Sequence, residues 1–420
     1  MSPAGEGSMN KQTIADMEIA SKRVLIRADL NVPLENGKVS DDTRIAAALP
    51  TIRYVLESNG TPIVCSHLGR PKGKSDAKYS LKPVAERLAQ LLGCRVQMAP
   101  DCVGPEAQRM AGTVRRGAVL MLENLRFHAE EEANDPAFAQ ALASLADVYV
   151  NDAFGSAHRA HASTVGVTAY LPAVAGFLME KELNFLGQAL ASPARPFVAL
   201  LGGAKVSDKI EVIHNLLAKV DWLLIGGGMA NTFLKAQGKE IGESLVENDK
   251  LSVAESLLRD GGKNLILPVD VVVADRLDAQ AQTRTVSADA VPAGWRILDI
   301  GPQTIELFSR YLGNARTVVW NGPMGVFEME PFAAGTFAMA QALARLTDAT
   351  TIVGGGDSAS AVERAGVAER ISHISTGGGA SLEFLEGRDL PGVMCLNAQK
   401  LGAFMGGEYC GLAESMQRRY

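Results

Sequence analysis

The sequence predicts an α/β protein of two domains, each a mostly parallel sheet with helices on both faces. Three observations carry that expectation. Short apolar, β-branched runs recur along the chain. In the first half they are RVLIRADLN, TPIVCSHLGR, AVLMLENLRFH and DVYVNDAFG; in the second they are FVALLGGAK, DWLLIGGGMAN, NLILPVDVVVA, RILDIGP, TVVWNGPMGVF, TIVGGGDS and HISTGGGA. Helix-period stretches separate them, and strands apolar throughout that alternate with helices form parallel sheets covered on both faces. The run ends differ between the halves. The first half carries Arg27, Arg44, His67, Arg70, Arg126, His158, Arg159 and His161 in its loops; the second carries glycine clusters at 202–203, 226–228, 354–356 and 377–379.

Residues 1–9, MSPAGEGSM, lack an apolar core and read as a flexible extension rather than a secretion signal. The first domain is expected over 10–177. Within it SDDTRIAAALPTIRYVL starts a helix that Asp41 or Asp42 can cap, with Ile45, Leu49, Ile52 and Leu56 as its buried stripe. Arg44 sits in the first turn of that helix, against the helix dipole, where the bland reading pairs it with Asp41 or Asp42. In SHLGRPKGK, Gly69 and Pro71 force a turn that presents His67 and Arg70. Arg126 in ENLRFH and Arg159 in FGSAHRAHAS repeat the theme. One arginine at a strand end is usually a surface salt bridge. Several on the edge where parallel sheets bind ligands point to a small, multiply anionic molecule. His158 and His161 have the spacing of a metal pair but no acidic or thiol companion.

Residues 178–194, within FLMEKELNFLGQALASPARP, are expected to form a linker helix. Met179, Leu183, Leu186 and Leu190 have helical spacing, and Pro193 and Pro196 end it. The second domain is expected over 195–396. After LLGGAK a helix is predicted with Ile210, Ile213, Leu217 and Val220 in its core and Ser207 or Asp208 as cap. Lys205 and Lys209 bracket its start, where an anion would also meet free backbone N–H groups. Asp357 in GGGDSA falls at a cap position; its alternative reading is a magnesium ligand. STGGGAS opens another glycine-rich helix, and Glu328 follows the constrained turn NGPMG, placed to accept hydrogen bonds from ribose hydroxyls. Each glycine cluster alone is weak; together with lysines and one acid they indicate a nucleotide. The tail, 397–420, carries no functional reading.

Composition limits the alternatives. The formal net charge is −6, so general affinity for nucleic acid or an anionic membrane is not expected. Five cysteines, Cys65, Cys94, Cys102, Cys395 and Cys410, have no CxxC spacing and suggest reduced thiols in a cytoplasmic protein rather than a disulfide framework or a zinc site. No apolar run reaches the roughly 18 residues needed to span a bilayer.

Ten stretches in order resemble the phosphoglycerate kinase family over roughly residues 10–396: RADLNVP, DDTRI, SHLGRPKGK, ENLRFH, NDAFGSAHRAHAST, LLGGAKVSDKI, GGGMANTF, NGPMGVFE, GGGDSA and STGGGAS. The resemblance implies two Rossmann-like domains facing a cleft, the first binding 3-phosphoglycerate or 1,3-bisphosphoglycerate and the second MgADP or MgATP, in a monomer. It implies contacts from Asp29, Asn31, Arg44, His67, Leu68, Gly69, Arg70, Arg126 and Arg159 to the acid substrate. On the nucleotide side it implies Lys205, Lys209, Glu328, Gly355, Gly356, Asp357 and Ser358, with Asp357 holding Mg2+. Arg44, Lys205, Lys209, Gly378 and Gly379 would surround the transferred phosphoryl group. Ser358 stands where the family also uses threonine. The chemistry fits a chain without a kinase-type catalytic Asp loop, because a carboxylate acceptor is already ionised and needs no general base. A dinucleotide-dependent dehydrogenase would need a GxGxxG after the first strand with an acid about 20 residues on, which is missing. A non-catalytic two-lobed binder of phosphorylated acids leaves the nucleotide-like half unused.

Overall fold

The computed structural model describes residues 10–398, so the extension 1–9 and tail residues 399–420 lie outside the described residues. Two six-stranded parallel sheets dominate. The first uses β1 (Arg23–Ala28), β4 (Thr61–Cys65), β5 (Val96–Met98), β6 (Val119–Met121), β7 (Val148–Asp152) and β8 (Ala173–Ala175), after the short hairpin of β2 (Leu34–Glu35) and β3 (Lys38–Val39). Its order is β5-β6-β4-β1-β7-β8. The second sheet uses β9 (Phe197–Leu201), β10 (Trp222–Ile225), β11 (Leu265–Ile266), β15 (Thr317–Asn321), β16 (Thr350–Gly354) and β17 (His373–Ile374), in the order β11-β10-β9-β15-β16-β17. In each sheet the chain fills one side and then restarts on the other; in the first sheet it reaches the edge at β5 before β6 fills the gap beside β4. The strand order therefore reverses beside β1 in the first sheet and between β9 and β15 in the second, the places where such sheets open a ligand crevice. Strands β7, β9 and β15 are buried at every residue, as a sheet covered on both faces requires.

Not every predicted strand joins these sheets. NLILPVDVVVA splits at Pro268: β11 ends the second sheet, while β12 (Asp270–Ala274) turns away. It pairs antiparallel with β13 (Thr283–Ser287) and with β14 (Arg296–Ile300), the latter from RILDIGP, in a separate three-stranded sheet. Strand β13, TRTVS, is mostly exposed and polar, which hides it from a reading based on apolar runs.

The helix on Thr43–Glu57 buries Ile45, Leu49 and Ile52, with Leu56 partly buried. Asp41, not Asp42, closes its start: Oδ1 accepts from the Thr43 N–H at 2.9 Å and hydroxyl at 2.6 Å. Asp42 instead takes a two-pronged bond from Arg87. The helix on Ile210–Leu217 corrects its prediction twice. Neither Ser207 nor Asp208 caps it; Lys209 is the N-cap residue, and Ser207 bonds Glu247. Its buried face is Val212, Ile213 and Leu216, with Ile210 and Leu217 only partly buried.

The joining helix runs Phe177–Ala191 and buries Met179, Leu183 and Leu186 as predicted, plus Glu182. Asp152, at the end of β7, fastens its first turn: Oδ1 accepts from the N–H groups of Leu178 (2.9 Å) and Met179 (3.2 Å). At the far side Glu182 meets the second sheet. Its carboxylate lies 2.8 Å from His373 Nε2 and accepts from the Thr376 N–H at 2.9 Å, while Phe185 stacks on the His373 ring. Apolar packing continues between the halves through Phe154 and Phe384, whose ring centroids are 6.4 Å apart. The chain then returns to the first sheet. Asn397 N–H donates to Ala173, Asn151 Nδ2 donates to Gly392, and Lys11 Nζ donates to the carbonyls of Met394 and Leu396. Residues 391–396, expected within the second domain, thus pack on the first.

Asp152 gives a stability prediction. Burial pushes its carboxyl up to about 6, and its Oδ2 has no partner. The folded value lies above the unfolded one, so the stabilisation is complete below about pH 4 and is lost as pH rises through about 6. The lost part amounts to about 3 kcal/mol at most. Asp152→Asn keeps an oxygen for the helix N–H groups and cannot ionise. Urea unfolding should find it as stable as the wild type or more so at pH 8, with that advantage shrinking by pH 4. Equal destabilisation at both pH values would refute the reading.

Candidate functional site

The arginine edge is built at the carboxyl ends of β1, β4, β6 and β7. Past β1, Asp29 Oδ2 holds Arg44 Nη1 at 2.8 Å, so the partner of Arg44 is Asp29 rather than Asp41 or Asp42. Asn31 Oδ1 accepts from the Gly69 N–H at 2.8 Å and ties the β1 and β4 loops together. Past β4, His67 and Leu68 are buried and Arg70 is exposed. Asn124 Nδ2 donates to the Leu68 carbonyl at 2.8 Å, and Arg126 Nη1 donates to the Gly69 carbonyl at 2.9 Å. The Arg126 side chain is 6 % exposed, and its Nε sits 3.2 Å from Glu132. Arg159, past β7, donates from Nε to His158 Nε2 at 3.1 Å.

Under this edge lies a buried network that sequence reasoning missed. Arg27 was expected in a loop; it is on β1 and 1 % exposed. It donates to Ser163 Oγ (2.8 Å) and to its neighbour's carbonyl at Ala28 (2.5 Å), and Nη2 lies 3.1 Å from His67 Nδ1. Ser163 in turn donates both N–H and hydroxyl to the buried Glu131 carboxylate, at 2.9 and 2.6 Å. A guanidinium takes no proton, so His67 Nδ1 must accept from Arg27 and the ring is neutral. Its pKa is held well below the ordinary value by burial and then by Arg27, Arg126, Arg159 and Arg44. Burial and Arg126, Arg27 and Arg159 likewise lower His161 to about 4. His67 registers four guanidiniums and His161 three of the same four, Arg27, Arg126 and Arg159. Glu131 is the one buried acid in the otherwise exposed run AEEE, and its burial depends on Ser163 and Arg27, distant in sequence, so it has no local signal.

The glycine edge is built at the ends of β9, β15 and β16. Lys209 is buried, and its Nζ donates to the Asn321 carbonyl at 3.1 Å and to the Asn321 side-chain oxygen. Burial lowers its pKa to about 8, with Asp208 and Asp357 opposing. Lys205 is exposed, so only one of the two predicted lysines lies inside the edge. Gly355 has φ of 90°, a conformation that side chains resist, and it starts the helix Gly356–Arg364. Asp357 is exposed in the first turn of that helix and caps nothing, contrary to its structural reading. Ser358 is buried, and its hydroxyl accepts from the Gly322 N–H at 2.6 Å. Glu328 and Asp357 reach the same cavity of about 210 Å³, floored by Gly203, Gly227 and Pro323. An exposed carboxylate at that rim suits Mg2+, which takes one or two carboxylates and keeps several waters.

The two edges meet at 377–379. A β-carbon at Gly377 would come within 2.5 Å of the Phe154 ring, so only glycine fits between the halves there. Gly379 lies close to His158 Nε2, and Gly378 precedes the helix Gly379–Leu385. The arrangement can hold two anionic ligands on facing strand edges.

The buried network yields a prediction. Glu131→Ala strips Arg27 and Ser163 of their anion and should cost about 3–5 kcal/mol in chemical denaturation. Ser163→Ala should cost about 1–3 kcal/mol. Wild-type unfolding midpoints for both variants would exclude the network as a support of the edge.

A family model for phosphoglycerate kinase matches residues 14–388. A phosphoglycerate kinase of Chloroflexus aggregans is 61 % identical over 396 residues, covering 92 % of this chain and 99 % of that one. One from Moorella thermoacetica is 62 % identical over 391 residues, covering 92 % and 99 %. The solved phosphoglycerate kinase of Coxiella burnetii superposes with a TM-score of 0.84 at 44 % identity, covering 92 % of this chain and 98 % of its own.

Proposed function

The chain belongs to the phosphoglycerate kinase family, phosphotransferases of glycolysis with a carboxyl group as acceptor, and we propose that its two strand edges divide that reaction between them. The arginine edge takes 3-phosphoglycerate or 1,3-bisphosphoglycerate. The glycine edge takes ADP or ATP with Mg2+, and Asp357 holds the metal. The observation that carries this division is the convergence of Arg27, Arg44, Arg126 and Arg159 on a neutral His67, a concentration of fixed positive charge that answers a multiply anionic ligand.

Asp29 and Asn31 position the loops, with Asp29 orienting Arg44; Arg70, Arg126 and Arg159 bind the phosphate and carboxylate ends, and His67, Leu68 and Gly69 line the site. On the other edge Glu328 accepts from ribose hydroxyls at the cavity rim. Gly355, Gly356 and the Ser358 turn cradle the phosphates with backbone N–H groups. Magnesium, when bound with the nucleotide, neutralises phosphate charge. Arg44, Lys205 and Lys209, with the N–H groups of Gly378 and Gly379, stabilise the phosphoryl group in transit. The acceptor is already a carboxylate, so transfer is in line and takes no proton.

Closure brings the edges together and excludes water from the acyl phosphate. The joining helix serves as hinge because it touches both sides: Asp152 fixes its first turn, and Glu182 fixes Thr376, next to Gly377. The domains are 10–177, 178–194 and 195–396, with 391–396 folded back on the first. No helix of the described residues is long and apolar enough to cross a membrane. The protein acts as a cytoplasmic monomer without nucleic acid or membrane partners.

Arg44→Ala should lower kcat about a hundredfold with the fold intact, read in a coupled assay with circular dichroism as control; turnover near normal would remove Arg44 from the transfer. Lys209 has a pH signature. Its depressed pKa of about 8 means that the free amine begins to neutralise above that pH, while a bound phosphate would keep it charged. The Kd for ADP should therefore climb by up to about tenfold per pH unit above pH 8 in the wild type. It should be weaker and flatter in Lys209→Met. A wild-type curve as flat as that of the variant would separate Lys209 from the nucleotide.

A further inference from the structure

Away from the cleft, three side chains from two loops bring ligand atoms to one place. Asp101 and Cys102 follow β5, and His128 follows the turn after β6. One carboxylate oxygen, the thiol sulfur and one ring nitrogen all lie within 4.8 Å of one another. His128 Nε2 is 2.7 Å from Asp101 Oδ1, which also accepts from the Cys102 N–H at 2.6 Å. The thiol is buried, whereas the His128 and Asp101 side chains are 28 % and 47 % exposed, so the cluster has a closed floor and an open mouth. The imidazole is steadied by Phe138, with ring centroids 5.2 Å apart.

We propose that Asp101, Cys102 and His128 form a binding site for a borderline-soft divalent transition-metal ion such as Zn2+, with its fourth position open to water. One sulfur, one imidazole nitrogen and one carboxylate oxygen make a donor set that zinc accepts and that magnesium and calcium do not. Ligand atoms at 2.0–2.3 Å from a zinc ion stand roughly 3–4 Å apart, so rotamer changes that bring three atoms already within 4.8 Å to that spacing complete the shell. On binding, the thiol loses its proton to solvent and sulfur bonds the metal. The neutral imidazole and the carboxylate trade their mutual hydrogen bond for metal bonds, and nothing is oxidised or reduced. One proton leaves per ion bound. The burial and neighbouring Asp101 that push the thiol pKa up are answered by the ion, which supplies the missing positive charge beside both. The ligands are 26 residues apart across two loops, so no CxxC-type spacing announces them.

The test uses the full chain without nucleotide, titrated with Co2+ as a spectroscopic probe. One ion per chain is expected, with the near-ultraviolet charge-transfer band of a cobalt–thiolate bond. Zn2+ should displace it and excess Mg2+ should not. Cys102→Ala should abolish the band, and His128→Gln should weaken Co2+ binding at least about tenfold. Both variants should keep wild-type turnover, which shows that they fold. Should Cys102→Ala fail to fold, Asp101→Asn takes its place, with weakened binding expected. The proposal is overturned if the wild type shows no thiolate band, if the band persists in Cys102→Ala, or if neither His128→Gln nor Asp101→Asn changes the affinity.

Discussion

Like charges held together set the terms for the rest of this molecule. Arg27, Arg126, Arg159 and Arg44 all bear on His67, and two of them, Arg27 and Arg126, are buried. A buried cation without a partner costs several kcal/mol, so the fold must answer each one. Arg27 is answered through Ser163 by Glu131, and Arg126 by the Gly69 carbonyl and Glu132. Arg44 is answered by Asp29. These responses neutralise the charges singly and leave the sum positive. The edge therefore keeps a surplus of positive charge, the kind of surface that suits an anionic ligand.

The same economy shapes the joint between the halves. The joining helix meets the first sheet through Asp152 and the second through Glu182, both carboxylates gripping backbone N–H groups. Between the sheets the Phe154–Phe384 contact passes beside Gly377, where any side chain would wedge the halves apart. The return of residues 391–398 to β8 and Lys11 gives the first half a second tether to the chain that follows the joining helix.

The sequence displayed the parallel sheets well because β7, β9 and β15 are buried on both faces and thus apolar throughout. It displayed the joining helix through Met179, Leu183 and Leu186. It hid β13, whose alternation is lost in polar residues, and it misread Ser207, which serves Glu247 rather than its own helix. The site divided in the same way. Arginines and glycines at strand ends announce themselves, because turn chemistry is local. Glu131, Ser163, Glu182 and Asn321 do not, because each draws its meaning from a partner more than 30 residues away.

The histidines speak against proton transfer at the arginine edge. A general base works best with a pKa near the operating pH. Here His67, His158 and His161 all stand at the arginine edge, and all three are pushed down, His161 to about 4, by burial and by neighbouring guanidiniums. Imidazoles so placed are poor proton acceptors at neutral pH but serviceable neutral hydrogen-bond partners. An edge built to abstract a proton would be undermined by its own arginines. An edge built to hold a carboxylate and a phosphate, already ionised, is served by the same arrangement. The charge that disqualifies the histidines as bases is the charge that favours an anionic ligand.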